Sequence, residues 1–210
     1  MLSMLNDQIF TYPFLPYHKT NRYSDEVKVQ LPRIHGDQIL QKNASKMRAK
    51  HTDMKQCLVH GDFHTGSIMV KHDLAKVIDA EFAYIGPAAF DVGVLLASYI
   101  FACYSHKLYP TEVSSDFYKN LEDATKATLS IYLKDLNDYM TTDEIKSTVS
   151  DIAGFTGCYI FGRTIGMSHV EDLEGRPLAE LKCVHIGIQL LQRCTEITNE
   201  QQLLDCMFKS

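Results

Sequence analysis

Two carboxylates stand beside short apolar runs at a spacing that suits chemistry. Asp62 lies inside Cys57-Leu58-Val59-His60-Gly61-Asp62-Phe63-His64-Thr65-Gly66-Ser67-Ile68-Met69-Val70, and Asp79 inside Val77-Ile78-Asp79-Ala80-Glu81. Leu58-Val59, Ile68-Met69-Val70 and Lys76-Val77-Ile78 read as strands, with His72-Asp73 a turn signal between the last two. Asp62 then sits in a strand-to-strand loop and Asp79 at a strand end. Carboxylates so placed can face one cleft, where one accepts the proton of a substrate hydroxyl and the other holds Mg²⁺ on the phosphates of a nucleotide. A single Asp in a turn usually serves its own backbone; the joint spacing is what points to chemistry.

Phosphoryl transfer asks for a base or positioner for the attacking hydroxyl and for oxygen ligands to a hard cation. In the pattern H-R-D-x-x-x-x-N followed by D-F-G, the first Asp is the base, and the Asn and second Asp carry metal. Here Ser67 stands at the Asn spacing after Asp62, and Glu81 follows Asp79 by two residues. Glu81 can supply the oxygen that Ser67, a weaker ligand, supplies less well. His60 suits bracing of the loop. A second candidate is Arg163, in Gly162-Arg163-Thr164-Ile165-Gly166-Met167-Ser168-His169. A guanidinium among apolar residues needs an anion. It serves either as a fixed arginine finger that neutralises developing charge or as one half of a structural ion pair.

The extended strings His60 to Ile68, Ile78-Asp79-Ala80-Glu81-Phe82-Ala83-Tyr84-Ile85-Gly86-Pro87 and Phe90-Asp91-Val92-Gly93 resemble the methylthioribose kinases, within the aminoglycoside-phosphotransferase and choline-kinase group. The resemblance implies ATP-dependent phosphorylation of the 1-hydroxyl of 5-methylthioribose in methionine salvage. It implies Asp62 as base, Asp79 and Glu81 on Mg²⁺, and Asp91 steadying the catalytic loop. From the sequence itself Asp91 also suits a helix N-cap before the apolar run from 92 to 102. The family's Leu is Phe63 here and its Pro is Ala80. Of two successive family arginines that approach the substrate and the transferring phosphoryl group, the first is Gly162 and the second is Arg163. The segment from Asp7 to Tyr23 resembles the family's substrate-side segment, with Tyr23 in place of a Trp, so that Tyr23 becomes a candidate cap over the sugar.

With 210 residues, 45% of them hydrophobic, the chain is long enough to bury a core. A formal net charge of −5 speaks against nucleic acid or an anionic membrane as a main partner. No apolar run in the sequence reads as a membrane span, and no secretory signal is apparent, so a cytoplasmic location is the expectation. Six scattered cysteines without C-x-x-C spacing read as packed thiols rather than disulfides or zinc ligands.

In chain order, residues 1–37 read as irregular, interrupted by Pro13, Pro16 and Pro32, with Val27-Lys28-Val29 alternating as a strand would. Residues 38–51 read as a helix capped by Asp37, with Ile39, Leu40 and Met47 on its apolar side and a basic end of Lys46, Arg48, Lys50 and His51. Residues 91–102 read as a buried helix and 116–140 as an amphipathic one. Thr141-Thr142-Asp143-Glu144 is a capping box opening a long helix, and Glu174-Gly175-Arg176-Pro177 is a break before helices over 178–195 and 201–208.

The expected fold is α+β and mostly α: the large, C-terminal lobe of a protein-kinase-like fold with a small β element at the catalytic loop. It forms a single domain over 1–210, with a substrate-side segment (1–37), a helix plus catalytic and metal loops (38–90) and a helical scaffold (91–210). A glycine-rich loop and a lysine strand before the catalytic loop are not apparent, so the N-terminal nucleotide lobe is expected to be absent from this chain, and the chain by itself is expected to be inactive. Expected partners are methylthioribose and Mg-ATP, with a homodimer by resemblance. Alternatives are another small-molecule kinase of the group, for a sugar or amino alcohol, and a non-catalytic remnant or interaction module.

Overall fold

The computed structural model describes residues 2–111 and 116–209, with side chains from residue 6 onward. The chain is mostly helical, with four short strands among the described residues. The expectation of an irregular start is corrected. Helix α1 (Leu2–Phe10), a 3₁₀ turn (Tyr12–Phe14), α2 (Asp25–Lys28) and α3 (Leu31–Gly36) fill this region. Pro13 and Pro32 occupy first-turn positions, where a missing N–H costs nothing, so they start helical turns rather than break them. Val27 is fully buried in α2, and the strand-like alternation there does not form a strand.

Helix α4 (Gln38–Asp53) starts where expected. Asp37 caps it, accepting from the backbone N–H of Ile39 at 2.8 Å and of Leu40 at 3.1 Å. Its buried face is Leu40, Ala44, Met47 and His51, one residue per turn, while Ile39 is exposed. The basic helix end is also corrected at His51. Its ring is 1% exposed and packed among Phe10, Tyr84 and Phe90, with centroids 5.2, 5.1 and 4.4 Å away. Lys50 instead pairs with Asp151 at 2.5 Å.

Two antiparallel ribbons follow. Strand β1 (Cys57–Val59) pairs with β4 (Tyr84–Gly86), setting Val59 opposite Tyr84. Between them, β2 (Ile68–Lys71) and β3 (Leu74–Val77) form a hairpin closed at His72, which takes a left-handed φ of 52°. Residues 84–86 form a strand whose central residue, Ile85, pairs with Leu58, 27 residues back; that pairing is non-local and leaves no periodic trace. Both ribbons expose apolar side chains: Leu58, Met69, Val70, Leu74 and Ile85 are each at least half exposed.

Helices α5 (Ala89–Leu108), α6 (Phe117–Leu136), α7 (Thr142–Thr164), α8 (Pro177–Arg193) and α9 (Glu200–Phe208) build the scaffold. The core is centred where α5, α7 and α8 pack on one another. Helix α5 is long and apolar enough to cross a membrane by length and composition alone, in contrast to the expectation from sequence, but most of it is buried inside the protein. Backbones of α5 and α7 approach closely at Gly93, where an added Cβ would lie 2.9 Å from Phe155 Cβ; Thr156 Oγ1 donates to the Gly93 carbonyl at 3.2 Å. The capping box at the start of α7 forms as expected, with Thr141 and Glu144 each accepting from the other's backbone N–H. Gly175, at φ +69°, turns the chain into α8. Five of the six cysteines are buried, and none of the six is in a disulfide.

Neither ring nitrogen of His51, nor the nearby Tyr84 hydroxyl, has a hydrogen-bond partner among the described residues. Burial, helped by the charge of Lys55, pushes the His51 pKa down from 6.5 to about 4. The neutral ring is the one that packs. Its contribution is complete above the unfolded value and is lost as pH falls through the folded one, because the unfolded chain takes up a proton that the folded chain excludes. Urea unfolding measured between pH 7 and 4 should therefore show falling stability over that window. His51→Leu should flatten the slope, and an equal slope in both proteins would refute this account.

Candidate active site

The loop joining β1 to β2 is hung on the core by one side chain. Asp91, in the first turn of α5, accepts the backbone N–H of His60 at 2.5 Å through Oδ2 and of Gly61 at 3.0 Å through Oδ1. The helix starts at Ala89 with Ala88 before it, so the N-cap expectation for Asp91 is corrected, and the loop-bracing expectation describes its contacts. Burial raises the Asp91 pKa, against the two N–H donors that favour the carboxylate. Gly61 takes φ +89°, and a Cβ there would lie 2.4 Å from the Phe82 carbonyl oxygen, so a glycine is needed for the loop to pass beneath the turn after β3.

His60 fastens the two acidic stretches together. Its Nδ1 faces the Asp62 N–H at 3.4 Å, which leaves the hydrogen on Nε2 to donate to the Ile78 carbonyl at 2.8 Å. Ile78 N–H donates in turn to the Ser67 carbonyl at 3.0 Å. Ser67 is buried and its hydroxyl donates to the Asp62 carbonyl at 3.1 Å, closing the turn Thr65–Ser67. Asp79 follows Ile78 in the left-handed region, at φ 65°. The carboxylates of Asp79 and Glu81 are exposed and form no ion pair with the described residues. They are hard oxygen donors one residue apart in a turn, a donor set that fits a magnesium ion completed by water and phosphate.

Asp62 and Arg163 meet across 101 residues of chain, with Arg163 Nη2 3.1 Å from Asp62 Oδ1. The two readings of Arg163, charge-neutralising group and ion-pair partner, converge on this carboxylate. Tyr159, one turn earlier on α7, lies between them: its hydroxyl accepts from Arg163 at 2.7 Å and donates to Asp62 Oδ1 at 3.2 Å. Burial lifts the Tyr159 pKa well above the ordinary phenol range, while the Tyr159 hydroxyl and the Asp62 charge raise that of Arg163 against its own burial. Tyr159 is not among the residues that the sequence singles out. The available signal was its i, i+4 spacing to Arg163.

Asp62, Arg163 and Gly162 line one cavity of about 180 Å³, together with Gln8 and Ile9 of α1. The missing first arginine falls at the wall shared with α1, where a Cβ on Gly162 would touch the Gln8 carbonyl at 3.4 Å. Arg163 also lines a neighbouring cavity of about 320 Å³ with His64, Tyr159 and His169. Tyr23 lines neither. It borders a further cavity of about 360 Å³ that shares His169 with the Arg163 cavity. The Arg22 backbone holds this segment against the end of α7, donating to the Ile165 carbonyl at 3.1 Å and contacting His169 Nε2 at 2.8 Å through its own carbonyl. A larger, mostly apolar cavity of about 720 Å³ reaches His60 and Asp91 but none of Asp62, Asp79, Glu81 or Arg163.

Comparison with known proteins now bears on this geometry. Residues 10–126 match the phosphotransferase enzyme family. The methylthioribose kinase of Geobacillus thermodenitrificans is 30% identical over 213 residues, covering 94% of this chain and 53% of the relative. That of Geobacillus kaustophilus is 31% identical over 204 residues, covering 91% and 51%, and that of Bacillus velezensis 32% identical over 177, covering 79% and 43%. The chain spans about half the length of these curated relatives.

Asp91→Ala should leave the His60 and Gly61 N–H groups without acceptors, at a cost of about 2–4 kcal/mol. Hydrogen exchange of these two amides should accelerate more than that of the α5 core. Unchanged exchange at both would show that the loop is held by something else.

Proposed function

The chain belongs to the phosphotransferase enzyme family, and we propose that it carries the acceptor-side chemistry of an ATP-dependent kinase whose substrate is 5-methylthioribose. The observation that carries the reading is the meeting of Asp62 and Arg163 in one cavity, from a loop and a helix end 101 residues apart. The methylthioribose kinase relatives support the choice of substrate.

In this mechanism Asp62 accepts the proton of the 1-hydroxyl as the hydroxyl oxygen forms its bond to the γ-phosphorus. The bond from phosphorus to the bridging oxygen breaks, and ADP leaves with that electron pair. Arg163 neutralises charge on the transferring phosphoryl group, moving from Oδ1 of Asp62 towards the phosphoryl oxygens as they approach. Asp79 and Glu81, with Ser67, would hold magnesium, and the bound ion would supply charge neutralisation on the nucleotide phosphates. His60 and Asp91 keep the loop in register, and Tyr23 caps the sugar from the neighbouring cavity. The fold is read as the large lobe of a protein-kinase-like enzyme.

A coupled assay of the whole protein with Mg-ATP should show phosphorylation of 5-methylthioribose. Turnover only with another sugar or an amino alcohol would overturn the substrate. Asp62→Asn should lower kcat by about 10²–10⁴ and leave ATP affinity nearly unchanged, the range for loss of a general base; turnover equal to wild type would overturn its role. Asp79→Ala should shift the Mg²⁺ dependence of the rate to higher concentration, and an unshifted midpoint would place the metal elsewhere.

A further inference from the structure

The two carboxylate oxygens of Asp62 have different surroundings. Oδ1 receives two donors, the Tyr159 hydroxyl at 3.2 Å and Arg163 Nη2 at 3.1 Å. Arginine has no acceptor, so the Tyr159 oxygen must accept from Arg163, and its single hydrogen is turned to Asp62. The direction of the relay is thereby fixed. Tyr159 is 2% exposed, and Arg163 also stacks against its ring, with Cζ 4.8 Å from the centroid.

Oδ2 faces His64 Nε2 at 3.6 Å, longer than a hydrogen bond. His64 Nδ1 accepts the Gly66 N–H at 3.1 Å, so the neutral ring carries its hydrogen on Nε2, towards Oδ2. Gly66 is needed for this arrangement, because a Cβ there would lie 2.9 Å from His64 Nδ1 and Cε1.

We propose that Tyr159 is a positioning residue that makes Oδ2 the proton-accepting oxygen of Asp62. The proposal rests on Asp62 being the base. By occupying Oδ1, Tyr159 and Arg163 fix the rotation of the carboxylate, and Oδ2, which receives no hydrogen bond among the described residues, keeps its lone pairs for the substrate hydroxyl. Without the phenol hydroxyl the carboxylate can rotate and Arg163 loses one of its two acceptors. Each turnover then starts from a mixture of orientations.

Four proteins test this in the coupled assay: wild type, Tyr159→Phe, Asp62→Asn and the double variant. Tyr159→Phe keeps the ring and its packing, and should lower kcat about tenfold with KM for both substrates within about twofold. The double variant should be no slower than Asp62→Asn alone, because the orientation that Tyr159 imposes matters only while Asp62 is the proton acceptor. A further tenfold loss in the double variant, or a wild-type kcat in Tyr159→Phe, would overturn the positioning role while leaving Asp62 as base. Wild-type turnover in Asp62→Asn would overturn both. A second measurement does not depend on the Phe variant folding. The buried Tyr159 hydroxyl proton should give a slowly exchanging NMR resonance, correlated with its ring protons, that moves in Asp62→Asn. A resonance unmoved by that change overturns the proposal.

Discussion

The carboxylate of Asp91 is the contact on which the site depends. It converts the first turn of a buried helix into an anchor for two consecutive backbone N–H groups of an otherwise surface loop. Helix α5 is immobilised by α7 and α8, so the anchor is as fixed as the core itself. From that point the loop has little freedom. Gly61 passes under Phe82 in a conformation a side chain would prevent, and His60 ties the loop to the strand exit at Ile78. Asp62 and Asp79 are therefore set relative to one another by backbone hydrogen bonds rather than by contact between their side chains.

The same core delivers the cationic side of the site. Helix α7 is exposed over its first turns and buried from Asp151 to Gly162, and its C-terminal part carries Tyr159 and Arg163 on one face beside the loop. An arginine there is tolerable because it is matched at once by a phenol oxygen and a carboxylate. A partly buried pair of this kind is weak evidence for stability, since the desolvation of both ions offsets their attraction; its value lies in orientation.

The β ribbons behave differently from the helices. They hold the loops by edge hydrogen bonds while leaving Leu58, Met69, Val70, Leu74 and Ile85 in contact with solvent. The result is hydrogen-bonded backbone at the mouth of the site, where the acidic side chains of Asp79 and Glu81 remain exposed, and a well-packed helical body behind it. His51 marks the boundary: its neutral ring packs beneath β4 against Tyr84 and joins α4 to the ribbon that carries the loop.

The sequence by itself determined the local features. The Asp37 cap, the Thr141 and Glu144 box, the His72-Asp73 turn, the three strands around Asp62 and the long helices follow from spacings of three to five residues, which local sterics and local hydrogen bonds enforce. It also put Asp62, Asp79, Glu81 and Arg163 forward as the groups to watch. Prolines misled at the N-terminus because Pro at a first helical turn and Pro in a loop look alike until the following residues are packed. Only the tertiary structure decided that β4 pairs with β1, that His51 is a neutral core residue rather than a helix-end cation, and that Arg163 and Tyr159 close on Asp62. Each of those joins groups from 27 to 101 residues apart, and such contacts are fixed by how α5, α7 and the ribbons pack, a global outcome that no short window of residues encodes.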